Sequence, residues 1–227
     1  IYVDNGGSSA ARWKAANQSS NSSILYTIGR CYDLFIDRDN FLYCSVAQSH
    51  RVIYRYLNDT NHIYDVKAGG NCFGFLGHLL NFPIGIYVDS NVTLYVADSN
   101  NHRIRVFQSG QLKGTTIAGN GAPGTIDLLL PTDVVLDAEG YVYIVDRGNH
   151  RIVGAGPNGF RCIVGCTPYY GFGPDVFNEP YSMGFDSRGN IFVTDSQNSR
   201  VQKFLLTTNS CSEYPHTHAD WRSDITQ

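Results

Sequence analysis

Charge is scarce in this chain. Asp, Glu, Lys and Arg together make 16% of its 227 residues, against about 25% in an average soluble protein. With 42% apolar residues, that excludes the charge-rich, apolar-poor composition of a disordered chain. Seventeen basic against 20 acidic side chains leave a formal charge of −3, so no overall field draws the chain to nucleic acid or to an anionic membrane. Long apolar runs are missing too. None approaches the roughly 20 residues that span a bilayer as helix, and no membrane insertion by this segment is expected. No stretch keeps the 3.6-residue periodicity of an amphipathic helix, which excludes a helical solenoid. There is no His-Glu-x-x-His, no Gly-x-Ser-x-Gly and no Cys-x-x-Cys. The opening Ile1-Tyr2-Val3-Asp4 reads as the middle of a strand. A processed or truncated piece is therefore expected, and the missing targeting segment says nothing of compartment.

What the chain does have is 15 Tyr, 12 Phe and 23 Gly, a balance suited to β-strands joined by tight turns. It also repeats. Asp37-Arg38-Asp39-Asn40-Phe41-Leu42-Tyr43 is echoed from Asp89, Asp137 and Asp186, at spacings of 52, 48 and 49 residues. Nine residues after each anchor stands a second aspartate, Asp98, Asp146 and Asp195, with Val46 as the exception. A basic-apolar strand follows, opening with Arg51, Arg103, Arg151 or Arg200. The preceding residue is His50, His102, His150 or Ser199. Each unit reads as four short strands, a to d, with d ending in glycine. Four strands in a unit of about 40 to 50 residues is the arithmetic of a β-propeller blade.

These residues resemble the NHL-repeat family. Its pattern Pro-x-Gly-x-x-Val-Asp, Leu-Tyr-Val-Ala-Asp, Asn-His-Arg-Ile is matched almost completely from Pro83 to Phe107. Asn149-His150 repeats the Asn-His that names the family. The resemblance implies an all-β, NHL-type β-propeller of four-stranded antiparallel blades. The expected division is a partial blade at 1–29, blades at 30–82, 83–130 and 131–179, a last blade at 180–210, and a C-terminal tail at 211–227. That is an incomplete ring, about four and a half blades where the family usually has six. Cys31 stands where the other repeats have Pro83, Pro131 and Pro180.

Candidate chemistry is sparse. Gly119-Asn120-Gly121-Ala122-Pro123-Gly124 spells a dinucleotide fingerprint, but Pro123 interrupts it and a strand follows instead of the helix whose N-terminus would hold a pyrophosphate. Residues recurring at one repeat position are expected to serve the repeat by satisfying turn amides or bracing the next strand. This covers Asp37, Asp89, Asp98, Asp137, Asp146, Asp186, Asp195, His50, His102, Arg103, His150, Arg151 and Arg200. The family also contains peptidyl-hydroxyglycine amidating lyase, whose zinc is held by histidines at strand starts. Here the strand starts, Cys31-Tyr32-Asp33, Pro83-Ile84-Gly85, Pro131-Thr132-Asp133 and Pro180-Tyr181-Ser182, carry none. His216-Thr217-His218 is expected in the solvated tail. No catalytic residue, metal ligand or cofactor is expected.

Six cysteines without zinc-ligand spacing allow 15 pairings. Cys31 and Cys44 flank one hairpin. Cys162 and Cys166 would be about 13 Å apart if extended, so they pair only if Gly165 turns the chain back. Cys72 and Cys211 then pair by elimination. Free buried thiols are the alternative. Sequons stand at Asn17, Asn21, Asn58 and Asn91, all in expected loops where a glycan is tolerated. Cysteines and sequons together point to a secreted or extracellular protein.

The expectation is thus a non-catalytic extracellular module that binds a protein or glycan partner, with other copies in a larger assembly as one option and nucleic acid excluded. The alternative is a metal-dependent propeller enzyme, amidating-lyase-like or a hydrolase, with a central-channel site. In antiparallel blades the a–b and c–d turns share one face, and all four sequons fall there. The other face carries the long d–a crossings, where Phe73, Phe75, Tyr169, Tyr170 and Phe172 form the expected binding surface. Filling gaps between blades is the competing role for these rings.

Overall fold

The structure is a computed structural model that describes residues 2–4, 9–12, 23–26, 29–59, 63–207 and 220–223. The asparagines of two sequons, Asn17 and Asn21, lie outside these residues, as do Cys211 and the His216-Thr217-His218 run. Every sheet is antiparallel and built from strands consecutive in the chain. β1 (Tyr2–Asp4), β2 (Ser9–Arg12) and β3 (Ser23–Tyr26) make a three-stranded sheet. Four-stranded sheets follow. The first is β4 (Leu34–Ile36), β5 (Phe41–Val46), β6 (Arg51–Tyr56) and β7 (Asp65–Gly69). The next is β8 (Pro83–Val88), β9 (Leu94–Asp98), β10 (Arg103–Phe107) and β11 (Thr115–Gly119). Then come β12 (Asp133–Leu136), β13 (Val142–Asp146), β14 (Arg151–Gly156) and β15 (Gly159–Val164). Last are β16 (Pro180–Phe185), β17 (Ile191–Asp195), β18 (Arg200–Thr207) and β19 (Asp220–Ser223).

β19 corrects the expected tail. Asp220 pairs with Thr207 and Ser223 with Phe204, so part of 211–227 is the fourth strand of the last sheet. At eight residues, β18 extends far enough past the hairpin to offer it an edge.

The turns follow from the anchoring aspartates. One carboxylate oxygen of Asp37 accepts the N–H of Asp39 (3.0 Å) and of Phe41 (2.9 Å). Asp89, Asp137 and Asp186 do the same for the residues two and four positions on. A carboxylate satisfying two amides lets the chain reverse within four residues. The residue three positions on takes positive φ: Asn40 (65°), Val92 (60°), Gly140 (85°) and Gly189 (80°). The Tyr43 hydroxyl also donates to Asp37 (3.0 Å), and burial pushes that phenol's pKa well up.

The chain divides into two compact units, 1–101 with 105–115, and 102–104 with 116–227. In the first, Tyr43, Val52, Ala68 and Leu80 pack with Ile86, Val88, Leu94, Val96 and Phe107. In the second, Tyr143, Val145, Ile152, Val164 and Phe177 pack with Met183, Ile191, Val193 and Phe204. These are the alternate, inward residues of neighbouring sheets, as face-to-face sheet packing requires. Each unit has a polar clasp between its sheets as well. Asp33 accepts the N–H groups of Leu34 and Ile86, both at 2.8 Å. Asp133, at the matching place in the second unit, accepts the N–H of Val134 (2.8 Å) and Met183 (3.0 Å) and the Ser182 hydroxyl (2.8 Å). Asp133 is buried, and burial raises its carboxyl pKa against the pull of those three donors.

Cys31 and Cys44 form a disulfide with Cα atoms 5.3 Å apart, and Cys162 and Cys166 one at 5.7 Å. The second closes because Gly165 takes φ 73°. A side chain there would run into the His150 carbonyl, so only glycine fits. Cys72 is exposed and has no disulfide among the described residues; its expected partner, Cys211, lies outside them.

Candidate interaction site on the blade crossings

The b–c turn of each blade and the d–a crossing that leads to it are sewn together by the repeat residues. After strand b the chain makes one 3₁₀ turn, and the residue that follows it takes positive φ: His50 (56°), His102 (55°), His150 (53°) and Ser199 (52°). That conformation returns each histidine ring toward the end of the next crossing. Nδ1 of His50 accepts the N–H of Phe82 (3.2 Å), His102 that of Leu130 (3.1 Å), and His150 that of Glu179 (3.0 Å). With Nδ1 as acceptor, the proton of the neutral ring sits on Nε2. Phe82, Leu130 and Glu179 themselves hold φ of 56°, 48° and 50°, a costly conformation for residues with side chains. The histidine bond helps hold it.

The buried aspartates take the preceding amide. Asp98, Asp146 and Asp195 are fully buried. They accept the N–H of Asn81 (2.6 Å), Leu129 (2.7 Å) and Asn178 (2.7 Å). Their second oxygens accept from Asn101, Asn149 and Asn198, each at 2.9 Å. Asp146 also meets Arg151 Nε at 2.8 Å and Asp195 meets Arg200 Nε at 2.7 Å. Burial nevertheless raises the Asp146 carboxyl pKa, outweighing its donors. Where the first four-stranded sheet has Val46 instead, Val46 packs with Cys31, Cys44 and Ile53.

The arginines reach onward to the backbone of the crossings. Arg200 donates to the carbonyls of Phe172, Gly173 and Val176, Arg105 to those of Gly77 and Gly114, and Arg151 to that of Asp127 (2.7 Å). Asn101 and Asn198 add bonds to Gly74 and Gly171. Arg103 is almost wholly buried.

The crossings are held largely by their backbone, so although Leu80 and Phe177 turn into the cores, several large rings are left outside. Phe73 is 66% exposed, Phe75 50%, Tyr169 76%, Tyr170 67% and Phe172 78%. None fills a gap between blades. Two are steadied by the repeat histidines: Phe73 lies 5.4 Å from the His50 ring and Tyr170 5.3 Å from His150. Leu76 is exposed too. Asn58 and Asn91 are exposed at the opposite ends of their strands, in a c–d and an a–b turn.

In the second unit the crossing borders a cavity of about 500 Å³. Its lining is Asp127, Gly148, Asn149, His150, Arg151, Gly165, Cys166, Thr167, Pro168 and Tyr170. Among the described residues no three His, Cys, Asp or Glu side chains converge as a metal site requires, and no helix is long and apolar enough to cross a membrane.

Residues 80–107, 128–154 and 177–204 match the NHL repeat model. Similar solved structures include a structural-genomics protein of unknown function from Bacteroides thetaiotaomicron, 14% identical with a TM-score of 0.66, over 88% of this chain and 57% of that one. A chain of the nidogen/laminin complex is 18% identical with a TM-score of 0.64, over 86% and 66%. A streptogramin B lyase is 9% identical with a TM-score of 0.64, over 98% and 70%. This chain thus spans less than two thirds of the first two, and at these identities the likeness is one of fold. The chain thus carries three NHL repeats, and the antiparallel four-stranded sheets that hold them fold as β-propeller blades.

Proposed function

We propose that this chain is a non-catalytic extracellular module that recognises a protein partner through the aromatic rings of its d–a crossings. The observation that carries this reading is the exposure of all five rings on backbones fixed by arginine, asparagine and histidine. Large rings held in place lose little entropy on binding, which is why Tyr and Phe serve as interface anchors. An extracellular setting is supported by the two disulfides and by the exposed sequon asparagines Asn58 and Asn91, whose glycans would leave the crossings clear. A partner-binding role is in keeping with the similar chain of the nidogen/laminin complex.

The test is capture from an extracellular-matrix extract, comparing the wild type with a variant carrying Phe73→Ala, Phe75→Ala, Tyr169→Ala and Phe172→Ala. Recovery of the partner should fall by at least about tenfold with the melting temperature unchanged. Equal recovery by both proteins overturns the choice of surface. One tightly bound zinc or calcium per chain in the purified protein overturns the non-catalytic part.

A further inference from the structure

The cavity beside Tyr170 is more than a gap in the surface, because its polar lining is held before anything binds. Arg151 is fixed from two sides, Nε on Asp146 (2.8 Å) and Nη2 on the Asp127 carbonyl (2.7 Å). Asn149 is fixed on Asp146 (2.9 Å). His150 has Nδ1 committed to Glu179 N–H (3.0 Å), so the hydrogen it offers a ligand is on Nε2. The Tyr170 ring is tilted against that imidazole and 67% exposed. Cys166 and Gly165 form a wall tied back to β15 by the Cys162 disulfide, and Pro168 stiffens the next turn. Groups held this way bind without paying to be ordered.

The lining also limits the chemistry of the ligand. One carboxylate, Asp127, and one guanidinium, Arg151, give a nearly neutral site, and the guanidinium is largely spent within the protein. A phosphate or sulfate would meet Asp127, and a cation would meet Arg151. What remains among the lining residues is a mixed set of donors and acceptors, with His150 Nε2–H and the Tyr170 hydroxyl able to donate and the Asp127 carboxylate, Asn149 Oδ1 and Thr167 hydroxyl able to accept, around one exposed aromatic ring. Hydroxyl groups both donate and accept, and the electron-rich face of a ring attracts polarised C–H groups. A cavity of about 500 Å³ suits a ligand of one or two small rings. We infer that this cavity is a binding site for a neutral pyranose, the terminal sugar of a glycan, stacked on Tyr170 and hydrogen-bonded by Asp127 and His150. The inference stands apart from the protein-partner reading, since a free sugar involves neither Phe73 nor Phe75.

Ligand-observed NMR with the methyl glycosides of glucose, galactose, mannose and N-acetylglucosamine tests it. At least one should bind saturably, with a Kd on the order of 1 mM, as expected of a single small site. Tyr170→Ala should weaken that binding at least about tenfold, and Asp127→Asn should weaken it too. Tyr170→Phe, which keeps the ring, should bind within about threefold of wild type. Phe73→Ala, at the matching histidine-backed position of the first unit, should change nothing. Absence of binding by all four glycosides up to roughly 50 mM overturns the proposal, as does binding indifferent to Tyr170→Ala or lost equally with Phe73→Ala. Partner capture unchanged in the four-ring variant, with sugar binding intact, would count against the protein-partner reading alone.

Discussion

Removing the Asp146 carboxylate tests the sewing of the crossings most directly. Asp146→Ala would strand three donors at once: the Leu129 N–H at 2.7 Å, Asn149 Nδ2 at 2.9 Å and Arg151 Nε at 2.8 Å. A buried donor left unpaired costs about 1–3 kcal/mol, but the three costs do not simply add. The Arg151 side chain is 23% exposed and keeps its bond to Asp127, so water recovers part of its loss. The main cost is the Leu129 amide, which sits beside the positive-φ residue Leu130. The total should be about 2–4 kcal/mol, which in a chain of this size lowers Tm by roughly 5–12 °C. Thermal unfolding followed by circular dichroism, with urea midpoints as a second measure, reads it. The pH dependence has a definite sign. Burial raises the folded-state pKa of Asp146 above the ordinary 3.8, so between those two values the folded protein binds more protons than the unfolded one. Wild-type stability therefore falls as pH rises through that window. The gap between wild type and Asp146→Ala should be widest in acid and level off above it. A destabilisation under about 0.5 kcal/mol, or a gap that widens with rising pH, would refute the reasoning.

Gly165→Ala should destabilise more than a typical surface change, since it combines positive φ with a clash against the His150 carbonyl; a variant that melts with the wild type would show that the close approach is not needed. Thiol titration of the denatured, unreduced protein should leave the four bridged cysteines, Cys31, Cys44, Cys162 and Cys166, unreactive, and more than two reactive thiols would remove the case for an oxidising compartment. Glu179→Gln should matter little at any pH. The Arg147 bond lowers the Glu179 pKa below the ordinary 4.5, so its contribution is present above that value and lost as pH falls through the lowered one. The two side chains are 36% and 33% exposed, which limits the effect to under about 1 kcal/mol.

Much of the fold was legible because its determinants recur. An aspartate that satisfies two turn amides recurs in all four four-stranded sheets, and a glycine that must pass close to a carbonyl in three of them, so both leave a periodic mark. The exposed rings could be placed for the same reason: strand alternation assigns them to crossings. What the sequence hid was chemistry between residues far apart in the chain and absent from every other repeat. Asp33 and Asp133 clasp amides 53 and 50 residues on, and the other two repeats have Gly85 and Ser182 there, so no pattern flags them. The histidines do recur, but their acceptor role depends on amides 28 to 32 residues later. β19 is four residues long, too short to stand out as an alternation. The cavity joins Asp127, Asn149 and Thr167, which share no motif.

Among the described four-stranded blades, the one without a buried aspartate after strand b shows that the repeat position does not demand a charge. Val46 and the Cys31–Cys44 bridge occupy the place where other blades keep a carboxylate network. Exchanging buried polar groups for well-packed apolar ones is often neutral or favourable. The exchange also divides the molecule by vulnerability. A reductant opens the Cys31–Cys44 bridge but leaves the hydrogen-bond networks of Asp98, Asp146 and Asp195 in place. At this position the redox state of the medium thus matters to one four-stranded blade and not to the other three.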